Sequence, residues 1–281
     1  MNHCSSIDEG RGPLDRHATD SRTLYDDRGA DVLPTDGDGP IVNMGLWRRA
    51  DGSEPATLYE ANLALFDHCI DRAEIRDDSS VLDVGCGFGT AALRVARRTR
   101  ARRVVGVNVS SVQLALARSA ARANALEDRV AFVEASALSL PFERASIDHV
   151  LSTEAAFHFA DRARFFREAA RVLRPNGSLV VADLVPAPAR NGLERRALAQ
   201  IAEALAFPSD NALSLEAYRA SVERAGLELR SFERIDRDVV GPFRRWMLRN
   251  ALRHKHAARD LRAWPYLVYP LQYVLFRATR S

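Results

Sequence analysis

The run Val81-Leu82-Asp83-Val84-Gly85-Cys86-Gly87-Phe88-Gly89-Thr90 constrains the fold of this chain more than any other stretch. A short apolar strand passes directly into a glycine-rich turn, and a helix comes next at 90–98. Glycine is needed in such a turn because it permits φ > 0 and lets the backbone approach a ligand with no Cβ in the way. In an open parallel sheet, ligands bind beyond the carboxyl ends of the strands. The turn after this strand is therefore the expected ligand site.

The pattern on either side repeats the same unit. Apolar, β-branched runs at 80–84, 103–109, 130–134, ending at 149–152, and at 178–183 read as strands. Helical periods lie between them at 90–98, 110–125 and 161–173, the last capped by Asp161 and stopped by Pro175 and Gly177. Alternating strand and helix predicts an α/β fold: a mostly parallel sheet with helices on both faces. Upstream, Thr57 to Glu60 has capping-box spacing and opens a helix to about 75. Downstream, helices are expected at 193–206, 215–225 and 244–261, with strands at 227–235 and 273–280. Residues 1–21 lack apolar partners and read as a disordered tail. Residues 22–281 read as one domain, with an N-terminal helical cap at 22–78, a core at 79–185, and a second cap with the last strands at 186–281.

Composition narrows the function classes. The chain has 281 residues, 47% hydrophobic and 27% charged, with a formal net charge of +3. Its basic residues are nearly all arginine, Lys255 being the only lysine. Basic clusters at 97–103 and 244–262 read as solvated helix faces rather than a nucleic-acid footprint. Cys4, Cys69 and Cys86 have neither disulfide nor metal-ligand spacing, so no metal is expected and a reducing cytoplasm is the default. The first residues show no secretory apolar region. No apolar run reaches the roughly 18–20 residues that a membrane span needs.

The glycine pattern then discriminates between cofactors. A dinucleotide loop reads G-x-G-x-x-G; here it is G-x-G-x-G, with Thr90 in the sixth position, which argues against a nicotinamide oxidoreductase. The stretch LDVGCGFG resembles the first motif of class I S-adenosylmethionine-dependent methyltransferases. That resemblance implies a Rossmann-like fold with a seven-stranded sheet and S-adenosyl-L-methionine as cofactor. It places Asp83, Gly85, Gly87 and Ser152 at the cofactor. The second strand ends at Asn108, where the family usually carries an acid for the ribose hydroxyls. Gln113 matches a ribose or methionine contact, although Ser110-x-x-Gln113 is equally a capping box. The segment 134–142, EASALSLPF, resembles the adenine-holding GDAxxLPF, with Ser136 in place of Asp and Ala137 beside it. Arg171 to Gly177, RVLRPNG, resembles the family's RVLRPGG turn, with Asn176 in the left-handed position that Asn tolerates.

The methyl acceptor is read from the segment after the fourth strand, Ser152-Thr153-Glu154-Ala155-Ala156-Phe157-His158-Phe159. His158 is taken as the only histidine of the expected sheet-and-loop core. An alcohol acceptor must shed a proton, and an imidazole, with an ordinary pKa near 6.5, is the natural base near neutral pH. A histidine that merely orders the loop is the alternative, and its place beyond a strand end favours catalysis. This segment, NMGLW at 43–47 and the C-terminal strand together resemble erythromycin-type and rebeccamycin-type sugar O-methyltransferases. In that group the histidine matching His158 is the base, and an aspartate matching Asp183 assists it; Asp183 as a plain polar strand end is the other reading. Tyr25 and Trp47 match aromatics that close over cofactor and acceptor, burial in the cap being the alternative for both.

The expected partner is a small-molecule acceptor, most simply a natural-product hydroxyl. Nucleic acid is not expected, because neither a [DN]-PP-[YFW] loop nor a Pro-Cys nucleophile occurs. A homo-oligomer is left open. The remaining readings are N- or C-methylation of an amine, quinone or terpenoid-like substrate, and a methyltransferase fold turned to a non-methylation step.

Overall fold

The computed structural model describes residues 43–49, 51–205, 208, 211–253 and 269–281. The elements run in the order α1 (Leu58–Ala73), β1 (Ser80–Val84), α2 (Thr90–Arg98), β2 (Arg103–Asn108), α3 (Ser111–Ala123), β3 (Val130–Glu134) and β4 (Ile147–Thr153). Next come a 3-10 turn (Ala156–His158), α4 (Arg162–Val172), β5 (Leu173–Pro186), α5 (Gly192–Leu205), α6 (Leu215–Arg224), β6 (Leu227–Arg234), α7 (Val240–Arg253) and β7 (Leu271–Arg280). The helix expected from 244 begins four positions earlier, at Val240. The 3-10 turn is too short to leave a periodic signal in the sequence.

The strands form one seven-stranded sheet in the order β3-β2-β1-β4-β5-β7-β6. Strands β1 to β5 pair in parallel, and β7 lies antiparallel between β5 and β6. The order reverses between β1 and β4, which pair along Val81–Asp83. Such a reversal opens a crevice beyond the strand ends. Both faces of the sheet are covered, so its central strands are near-continuous apolar runs. On β1 and β2, Val81 and Val104 pack on one side with Leu65, Val95 and Leu114. Leu82, Val84, Val105 and Val107 pack on the other with Phe165, Phe166 and Tyr218.

Local signals set the helix ends. Thr57 accepts a hydrogen bond from the Glu60 amide at 3.1 Å, and Glu60 reaches back to the Ala56 amide at 2.9 Å, one residue short of a capping box. Asp161 accepts from the Arg164 amide at 2.8 Å, as its position predicts. Asn176 stands at φ 62, the left-handed turn expected of it.

His149 corrects one expectation: it is a second histidine of the core, buried on β4. Its Nδ1 lies 2.8 Å from Ser178 Oγ, which donates onward to the Ala73 carbonyl at 3.2 Å. Its Nε2 accepts from the Arg76 amide at 3.4 Å. This pattern fits the neutral ring alone. Burial, followed by the Arg76 charge, pushes its pKa down to about 4. A histidine whose folded pKa is depressed contributes stability that is complete above the unfolded value near 6.5 and is lost as pH falls toward 4. In urea titrations the wild type should therefore lose stability relative to His149→Gln as pH falls across that window, by on the order of 2–3 kcal/mol, whatever the buried carboxylates Asp83 and Glu154 add to both proteins. His149→Gln should flatten the slope. An equal slope in both proteins would assign the acid sensitivity elsewhere.

Candidate active site

The glycine turn after β1 floors a partly open cavity at the sheet's crevice. Its three glycines act differently. Gly85 has φ 77, and a Cβ there would stand 2.3 Å from the Ala155 Cβ. Gly89 has φ 81, and a Cβ there would meet the Phe132 ring at 2.5 Å. Gly87, at φ 50, faces open space. Gly85 and Gly89 thus permit close packing, while Gly87 leaves room inside the cavity.

The cavity brings together Asp83, Gly85, Gly87, Asn108, Gln113, Ser136, Ala137 and His158. Asp83 is the residue before the end of β1, and burial raises its carboxyl to about 7, opposed by the Ala92 amide. Its Oδ2 is buried with no hydrogen-bond partner in the protein. A buried carboxylate oxygen left without a donor is costly, and a bound amine or hydroxyl would satisfy it. At the end of β2, Asn108 Nδ2 donates to Gln113 Oε1 at 2.6 Å. The Gln113 amide meanwhile donates to Ser110 Oγ at 3.2 Å. The Gln113 backbone is thus capped by Ser110, as one reading expects, and its side chain lines the cavity. Ser136 Oγ accepts from the Leu138 amide at 3.1 Å and shapes the turn that presents Ala137. Glu168 and Arg171 of α4 brace this turn, accepting from the Leu140 amide and donating to the Leu140 and Phe142 carbonyls. An orphaned carboxylate, an open glycine and an amide pair fit a ligand with an amino-acid group, a ribose and a base.

Three expected residues are not on the cavity wall. Ser152 is buried within β4, and alternation along the strand gives the wall to Thr153 instead. Asp183 is fully buried in β5. It accepts from Tyr218 Oη at 2.8 Å and pairs with Arg162 Nε at 3.2 Å. Burial pushes its carboxyl up, and the guanidinium and the phenol oppose that push. Arg162 and Tyr218 thus hold its carboxylate, where the sequence pattern pointed to a direct pairing with His158. Trp47 donates to the Met44 carbonyl at 2.8 Å and lines a separate, arginine-rich cleft. Tyr25 lies outside the described residues.

Glu154 is a cavity residue that the sequence pattern did not single out. It stands between β4 and the 3-10 turn at φ 48, a conformation that is strained for a non-glycine residue and tends to cluster at functional sites. Its Oε1 accepts from the Met44 amide at 2.7 Å and from Tyr273 Oη at 2.9 Å, while the side chain lines the cavity. Burial lifts its pKa to about 8. The available signal was a carboxylate just beyond a strand end, four residues before the more conspicuous His158. A glutamate with a raised folded pKa lowers stability as pH rises from its unfolded value near 4.3 toward 8. Glu154→Gln keeps an acceptor for both donors, so its melting temperature should exceed that of the wild type more at pH 8.5 than at pH 5. An offset that does not vary with pH would place the charge elsewhere.

A sheet in this order, with this cavity at its switch point, is the architecture of class I methyltransferases. The family model described as "Methyltransferase domain" matches residues 82–181. The methyltransferase GfsG of Streptomyces halstedii is 39% identical over 189 residues, 67% of this chain and 66% of that protein. The 27-O-demethylrifamycin SV methyltransferase of Amycolatopsis mediterranei is 35% identical, covering 69% of each chain. Erythromycin 3''-O-methyltransferase of Saccharopolyspora erythraea is 30% identical, over 75% of this chain and 70% of that one. Among solved structures, the [4+2]-cyclase SpnF superposes with a TM-score of 0.73 at 25% identity, covering 94% of this chain and 96% of its own. The chain belongs to the class I S-adenosylmethionine-dependent methyltransferases, in the group that holds these natural-product enzymes. No helix among the described residues is long and apolar enough to cross a membrane.

Proposed function

We propose that the chain transfers the methyl group of S-adenosylmethionine to a hydroxyl of a small natural-product acceptor of macrolide, polyketide or sugar type. The observation that carries this is His158 on the wall of the same cavity as the glycine turn, just beyond the end of β4. The relatives named for O-methylation support the hydroxyl.

S-adenosylmethionine supplies an electrophilic methyl group on a sulfonium, an already good leaving group. The protein must then bind, align, dehydrate and deprotonate. Asp83 and Gly87 would hold the amino-acid portion, Asn108 and Gln113 the ribose, and Ser136 and Ala137 the base. Phe88, Leu138 and Phe159 make the remaining wall apolar and exclude water. His158 takes the hydroxyl proton as the oxygen attacks. Glu154, anchored to Met44 and Tyr273, ties the segment at Met44 to the cavity and offers its second oxygen to the acceptor side.

The experiment is incubation with S-adenosylmethionine and a panel of demethylated macrolides, polyketides and deoxysugar glycosides, read by mass spectrometry. Gain of one methyl group on oxygen, with stoichiometric S-adenosylhomocysteine, is the expected result. Methylation confined to nitrogen or carbon, or turnover with no S-adenosylhomocysteine released, would replace it with one of the other readings.

A further inference from the structure

The 3-10 turn that carries His158 is held from beneath by two side chains that never reach the cavity. Arg162, 3% exposed, donates from Nε to the Ala156 carbonyl at 3.2 Å. Its other nitrogens donate to the Asn211 carbonyl at 2.9 Å and the Leu184 carbonyl at 2.8 Å. Asn211, 5% exposed, donates from Nδ2 to the Phe157 and Phe159 carbonyls, both at 2.9 Å. The carbonyls on both sides of His158 are thus gripped, and loss of the bonds to the Ala156 and Phe157 carbonyls would leave buried acceptors unsatisfied. Arg162 is itself fixed. Asp183 Oδ2 lies 3.2 Å from its Nε, the Tyr218 ring lies 5.4 Å from its guanidinium carbon, and Tyr218 Oη donates to the same carboxylate oxygen. A planar, forked cation is the one side chain that can face a carboxylate and three carbonyls at once.

We propose that Arg162 and Asn211 are positioning residues for methyl transfer: they grip the carbonyls of the turn and so set where the His158 ring stands, with Asp183 acting through Arg162. This rests on the reading of His158 as the base. It also gives Asp183 a role that its burial allows, and it latches the segment after α5 to the catalytic turn through Asn211.

The test uses the full chain labelled with ¹⁵N-histidine and saturated with S-adenosylhomocysteine. The His158 ring signal is identified by its loss in His158→Ala. Asn211→Ala should move that signal while leaving the His149 signal in place. It should lower kcat by about 10- to 100-fold, as expected for a displacement of about 1 Å. Affinity for S-adenosylhomocysteine should stay within about threefold, well under one tenfold step of binding energy. Arg162→Lys, which keeps a cation opposite Asp183 but loses the fork, should move the same signal. Should Asn211→Ala not fold, Asn211→Asp, similar in shape but without the amide donors, is read in the same way. An unmoved ring signal with unchanged kcat would overturn the proposal. So would cofactor affinity and melting temperature that fall in step with kcat, since that marks a general support of the fold. If His158→Ala retains turnover while Asn211→Ala still moves the ring, the base assignment fails and the positioning role stands.

Discussion

Gly87→Leu should weaken S-adenosylhomocysteine binding by about 10- to 100-fold or more while the protein stays folded. The glycine's Cβ direction opens into the cavity with no protein atom within 4 Å, so the new side chain occupies ligand space rather than core space. Overpacking a filled site costs about 1–3 kcal/mol, which gives that range in affinity. The folded state bears only the left-handed backbone at φ 50, worth about 1–2 kcal/mol and therefore a few degrees of melting temperature. Gly85→Ala should do the reverse. Its Cβ would overlap the Ala155 Cβ at 2.3 Å, so even one methyl group forces the turn from the 3-10 segment that carries His158. The larger loss of melting temperature should fall on Gly85→Ala, although it is the smaller substitution. Calorimetry showing undiminished binding by Gly87→Leu would move the cofactor out of this turn.

His158→Ala should lower kcat by about 100-fold or more and leave the affinity for S-adenosylhomocysteine little changed. The ring packs on Phe157 at a centroid distance of 3.9 Å and lines the cavity. Loss of a general base typically costs 10²–10⁴-fold, and the loss should appear in kcat and kcat/KM together, as for an interaction made only in the transition state. Near-wild-type turnover on the true acceptor would mean that proximity alone drives transfer, which favours an amine or carbon nucleophile.

The residues expected at the cofactor separate by how local their signals are. Gly85, Gly87, Asn108, Ser136 and Ala137 were legible because each lies within a few residues of a strand's carboxyl end, and the sheet gathers those ends by construction. Gln113 was legible as an ambiguity because the cap at Ser110 uses its backbone amide and leaves its side chain to pair with Asn108 on the cavity wall. Ser152 was misplaced by one position, because a strand's alternation decides which neighbour faces the cavity and an apolar run buried on both faces hides that phase.

The sequence by itself determined the order of strands and helices, the glycine turn and the caps at Thr57 and Asp161, since apolar period, left-handed glycines and side-chain caps act over a few residues. It also carried the resemblance that implies the cofactor class, because the motif is a local stretch of a few residues. Only the tertiary structure decided what the polar side chains meet. Glu154 is buried where it meets Met44 and Tyr273, 110 and 119 residues away; burial raises its pKa, and the two hydrogen bonds oppose that rise. Asp183 turned to Arg162 and Tyr218, because the interior between β5, α4 and α6 offered a buried cation and a phenol there. A buried charge takes the partner that packing brings within hydrogen-bond reach, and no spacing along the chain states which partner that is.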